Sequence, residues 1–117
     1  MPLTLLAALL VGAPAPKALA TYCSPSGDVC FGAFKRSGVV RLQITTAARY
    51  FPRYTLCVTP PAGARRCGSF PILRGAAGSG YGTVRLSTFG ATGAGTYRAQ
   101  WRIGSGPLGP TLRFRLR

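Results

Sequence analysis

The sequence predicts an all-β fold, a sandwich of about seven short antiparallel strands, and three observations carry that expectation. Apolar and polar residues alternate with a two-residue period in several segments, most clearly Tyr97, Ala99, Trp101 and Ile103 against Arg98, Gln100 and Arg102. Stretches rich in glycine and proline separate those segments at roughly ten-residue spacing. Heptads and the apolar period of an amphipathic helix are both missing from the chain.

The amino-terminal run Leu3–Ala13 is apolar but too short to cross a bilayer, and no Lys or Arg precedes it. Pro14, Pro16 and the small-residue triplet Ala18-Leu19-Ala20 follow, so residues 1–20 read as a secretory signal peptide with cleavage after Ala20. No cysteine stands at that point to take a lipid anchor. The expected mature chain, 21–117, is one exported domain without a transmembrane segment.

Ser24-Pro25-Ser26-Gly27-Asp28 is turn chemistry between Cys23 and Cys30. A first strand is expected over Val29–Phe34, weakened by Gly32. Val39–Thr46 follows with Val40, Leu42 and Ile44 inward. Arg53–Thr59 repeats the pattern, with Tyr54, Leu56 and Val58 on the core side. After Pro60-Pro61-Ala62-Gly63 the chain returns over Ala64–Ile72, where Pro71 cannot donate to a ladder and places the strand at a sheet edge. Gly82–Thr88 is a further strand, then Gly95–Ile103, a loop over Gly104–Pro110, and Thr111–Arg117 with Leu112, Phe114 and Leu116 inward. The last two strands form a hairpin with a long loop.

Four cysteines in an exported domain imply two disulfides, and pairing Cys23 with Cys30 and Cys57 with Cys67 closes the shortest loops. Zinc wants closer spacings or histidine partners; this chain has C-x6-C, C-x9-C and no histidine. Cys57 and Cys67 both have outward parity, which suits a bridge across a hairpin surface.

Fifteen Lys and Arg stand against a single acid, Asp28, for a formal net charge of +14. Base composition of the genome accounts for a preference for arginine but not for the near absence of Asp and Glu. The same inventory excludes most catalysis. With no histidine, no glutamate and one aspartate in a turn, a Ser-His-Asp triad, paired carboxylates and calcium or magnesium sites are all out of reach. The glycine-rich Gly75–Gly80 lacks the Lys-Ser/Thr of a phosphate loop. No catalytic, cofactor or metal residue is expected, and the chain reads as a non-enzyme.

Two resemblances refine the fold. Gly95-Thr96-Tyr97-Arg98-Ala99 resembles the tyrosine-corner segment that opens strand F of immunoglobulin-like domains, with Ala99 where antibody domains carry a cysteine. The inter-sheet disulfide and its strand-C tryptophan are missing, which points to the wider fibronectin III-like and bacterial Ig-like group. Leu56-Cys57-Val58-Thr59-Pro60-Pro61 through Arg66-Cys67, together with Gly95–Arg102 and Leu108–Phe114, is similar to small secreted actinobacterial proteins of unassigned function. That resemblance implies a fold and a compartment, and no activity.

An Ig-like strand order would set Arg53–Thr59, Gly95–Ile103 and Thr111–Arg117 side by side and bring Arg98, Arg102, Arg113 and Arg115 to one outer face. Guanidinium forks suit phosphate and carboxylate oxygens, so the expected partner is an anionic cell-envelope polymer or membrane surface. Stacking of nucleic-acid bases is disfavoured, because Tyr97, Trp101 and Phe114 have core parity. The competing expectations are a structural or protein-docking domain whose charge is incidental and, behind it, a cationic antimicrobial or nucleic-acid-binding protein.

Overall fold

The computed structural model describes residues 15–90 and 93–117. The apolar run read as the body of a signal peptide lies outside the described residues. Ten strand segments fill two antiparallel sheets. The first has the order β1 (Lys17–Cys23), β2 (Val29–Arg36), β3 (Val39–Thr46), β7 (Gly80–Arg85), β6 (Leu73–Arg74). The second runs β10 (Leu112–Leu116), β8 (Gly95–Ile103), β4 (Arg53–Thr59), β5 (Arg66–Pro71), with the two-residue β9 (Gly106–Pro107) also against β8. No α-helix occurs among the described residues; two short 3-10 turns lie at Ala76–Gly78 and Leu86–Phe89.

The alternation read from the sequence sets the core. Phe31, Ala33, Val40, Leu42 and Ile44 from the first sheet meet Tyr54, Leu56, Val58, Tyr97, Ala99, Trp101, Leu112 and Phe114 from the second. Burial of such apolar surface supplies the main drive for the two sheets to face each other. Trp101 is fully buried and stacks on Phe31 with ring centroids 4.6 Å apart, which ties β8 to β2 across the interior. Tyr97 and Phe114 stack at 5.5 Å along the hairpin of β8 and β10.

Both disulfides form as expected, Cys23–Cys30 and Cys57–Cys67, each between residues directly opposite on paired strands. Pro71 ends β5 at the edge of the second sheet, also as expected. Beyond it the buried Ile72 marks the crossing from one sheet to the other, held by its N–H donating to the Pro52 carbonyl at 2.9 Å.

Ahead of the expected boundary at Thr21, β1 already includes Lys17–Ala20: Lys17 pairs with Lys35, Ala18 with Phe34 and Ala20 with Ala33. Ala18 and Ala20, read as a cleavage triplet, are the small residues of an edge strand. Leu19 is the extra residue of a one-residue bulge between them, and it packs against the core. The strand expected over Gly82–Thr88 starts at Gly80 and ends at Arg85, because Leu86 and Phe89 both turn inward in a 3-10 turn. The returning strand spans Arg66–Pro71 and not Ala64–Ile72: Ala64 and Arg65 precede it, and Ile72 belongs to the crossing. Cys57 has outward parity yet is only 3% exposed.

Candidate anion-binding face of the second sheet

Residues of even-numbered parity on β4 go to the core, so Arg53, Thr55, Cys57 and Thr59 form its outer row. On β8 the outer row is Thr96, Arg98, Gln100 and Arg102, and on β10 it is Arg113 and Arg115. Register aligns these rows across the sheet. Thr59 opposes Arg98, which opposes Arg113; Cys57 opposes Gln100; Thr55 opposes Arg102; Arg115 opposes Thr96. Arg65, just ahead of β5, reaches the same surface and donates from Nη2 to Gln100 Oε1 at 3.0 Å, crossing β4 above the Cys57–Cys67 bridge.

Of the four arginines expected on this face, all four have the outward parity. Arg98 and Arg113 become direct cross-strand neighbours, and Arg115 follows two residues along β10. Arg102 is different. Its guanidinium donates from Nη1 to Gln100 Oε1 at 3.0 Å and from Nη2 to the Ser105 carbonyl, so it fastens the start of the loop after β8. The residues that the sequence reading missed are Arg65 and Gln100. Arg65 lies outside the alternating run, and nothing in its spacing assigns it to this face.

The electrostatics are one-sided. Arg98 and Arg113 are exposed like charges in directly opposed positions, an arrangement that destabilises a sheet. Among the described residues the arginine hydrogen bonds go to carbonyls, the Ser69 hydroxyl and Gln100, and none goes to a carboxylate. Asp28, the one acidic side chain, sits in the turn between β1 and β2 of the other sheet. Lys17 with Lys35 and Arg41 with Arg85 oppose each other in the first sheet as well. What sets the second sheet apart is that Arg65, Arg98 and Arg113 line one shallow depression of about 460 Å³, together with Thr59, Gln100 and Thr111.

No protein family, curated protein or solved structure matches this chain. The arginine face therefore has to be interpreted from its own chemistry.

A second depression, about 310 Å³, lies on the first sheet over the Cys23–Cys30 bridge, between Thr21, Phe34, Gln43 and Thr45. It is mostly apolar. Neither depression brings together a nucleophile and a base, and no cluster of three potential metal ligands occurs among the described residues.

Proposed function

We propose that this protein is an exported, non-catalytic Ig-like module that holds anionic cell-envelope polymers against the outer face of β5, β4, β8 and β10. The observation that carries the reading is the row Thr59, Arg98, Arg113 with Arg65 beside it: cations set next to each other with no carboxylate to balance them. A polyanion supplies the missing charge, and guanidinium forks meet its oxygens without reading a sequence.

Two disulfides in a small all-β domain support an oxidising, extracellular setting. The Ig-like assignment draws support from the order β10-β8-β4-β5 facing β2-β3-β7-β6. It also draws on the Tyr97 hydroxyl, which donates to the Gly93 carbonyl at 2.8 Å in the manner of a tyrosine corner. In this scheme β1 is an additional edge strand.

Sedimentation with purified cell-wall sacculi across a salt series tests the proposal, with an Arg65/Arg98/Arg113/Arg115 to Ser variant alongside. Binding that falls with salt and is lost in the variant is expected, since contacts of this kind are screened by ions. Binding that survives removal of the four arginines refutes it. The apolar depression on the first sheet keeps a protein-docking role as the second reading, which salt-insensitive capture of a single protein partner would favour.

A further inference from the structure

We infer that the depression between Arg65, Arg98 and Arg113 is a seat for a phosphomonoester, a tetrahedral phosphoryl group borne on an envelope polymer, in preference to a carboxylate. The inference rests on the polyanion reading and adds the ligand's chemical class.

Donors reach the depression from four segments. Arg65 comes from ahead of β5, Thr59 from β4, Arg98 and Gln100 from β8, and Thr111 and Arg113 from the start of β10. A carboxylate is planar and has two oxygens, so one guanidinium fork satisfies it. A phosphomonoester presents three strong acceptor oxygens pointing in three directions and carries about −1.5 to −2 charge at neutral pH. Three guanidinium groups arranged around one hollow, with two hydroxyls, match the second shape and leave donors idle with the first.

Gln100 fixes part of this arrangement. Its Oε1 accepts from both Arg65 and Arg102 at 3.0 Å, which settles the amide's orientation because only the oxygen can accept from a guanidinium. Its Nε2 group is then left as a pure donor at the rim. The bond from Arg65, to an amide that Arg102 also holds, keeps the Arg65 fork over β4, so less side-chain freedom is lost when an anion arrives. Beneath lies the buried Cys57 of the Cys57–Cys67 bridge, an uncharged floor that offers no competing acceptor of its own charge.

The test is an NMR titration of the purified protein at constant ionic strength with methyl phosphate, inorganic phosphate and malonate, a dicarboxylate of matched charge. Methyl phosphate is expected to bind about tenfold or more tightly than malonate, the worth of one charge-assisted hydrogen bond, and to move the signals of Thr59, Arg98, Gln100, Thr111 and Arg113. Thr111→Val removes a donor at an exposed position without changing charge; it should cut the methyl phosphate affinity several-fold and leave malonate unchanged. Equal affinity for the two anions, in a protein whose binding to sacculi still needs the arginines, overturns the phosphoryl seat and leaves the polyanion face standing. Inorganic phosphate binding tenfold more tightly than methyl phosphate overturns a polymer-borne ligand. Absence of any anion binding, together with arginine-independent sedimentation, overturns both readings.

Discussion

Reversing one charge in the arginine row should make the protein more stable and less able to bind. Arg98 and Arg113 are exposed and directly opposed on β8 and β10. Side chains at such positions have Cβ atoms about 4.5–5.5 Å apart, where opposite charges contribute roughly 0.2–1 kcal/mol and like charges cost a similar amount. Arg113→Glu exchanges one for the other. Solvent screening of an exposed pair keeps the gain to about 0.5–1 kcal/mol, or roughly 2–8 °C in Tm for a domain of this size. The substitution also lowers the +14 net charge by two and eases the general self-repulsion. Thermal melts should be run in about 10 mM and about 1 M salt, where the Debye length falls from about 30 Å to about 3 Å and most of the gain should vanish. Arg41→Glu, which meets Arg85 in the first sheet, is the control: it should stabilise by a similar amount and leave binding to sacculi intact. A gain that ignores salt, or equal loss of binding in both variants, would refute the assignment of function to the second sheet.

The remaining predictions concern the scaffold. Tyr97→Phe deletes the bond to the Gly93 carbonyl and should cost about 0.5–1.5 kcal/mol in urea unfolding; an unchanged midpoint would show that the corner contributes nothing. Burial pushes the Tyr54 hydroxyl up to about 12 from its ordinary 10.0. The folded state thus holds this proton longer than the unfolded chain, so the associated stability is complete below pH 10 and is lost as pH rises through 12. Tyrosinate absorbance should show a late-titrating phase that Tyr54→Phe abolishes. Cleavage after Ala20 would strip three register pairs from β1, together with Leu19's packing on the core. Were the chain exported, intact mass of the released protein would therefore be expected to place its amino terminus ahead of Lys17. A chain starting at Thr21 that melts no earlier than the longer form would contradict this.

The strands with strict alternation were legible because a two-residue period admits one partition into core and surface. Tyr97, Trp101 and Phe114 are buried as their parity requires, and Arg98, Arg113 and Arg115 emerge together. The short cross-strand disulfides were equally readable from spacing. Features that depend on three dimensions were not. The inward turn of Leu86 and Phe89 has a three-residue spacing over only four residues, too little to distinguish from the end of a strand. The bulge at Leu19 breaks the alternation that would have announced β1, leaving only small residues that also suit a cleavage site. Arg65 joins the site through a hydrogen bond across β4. Arg102 has the right parity, yet its guanidinium is committed to Gln100 and the Ser105 carbonyl.

That last distinction bears on whether the basic charge is incidental. Several arginines have structural work that explains them without a ligand. Arg49 donates to the Ile72 carbonyl at the crossing between sheets, Arg66 to Phe89 at the end of a 3-10 turn, Arg53 to Ser69 across β4 and β5, and Arg102 to Ser105. Each satisfies a carbonyl or hydroxyl that would otherwise depend on water, and a guanidinium does this with more donors than a lysine. Compositional preference for arginine accounts for such residues well. Arg98 and Arg113 have no hydrogen-bond partner among the described residues and lie where a neutral or acidic side chain would stabilise the sheet, as Arg41 and Arg85 also do; what distinguishes them is the hollow they share with Arg65. Arg65 is oriented over the same hollow by an amide that cannot be donating to it. An anion bound in that hollow would supply the missing negative charge, and the sedimentation and titration outcomes decide whether one does.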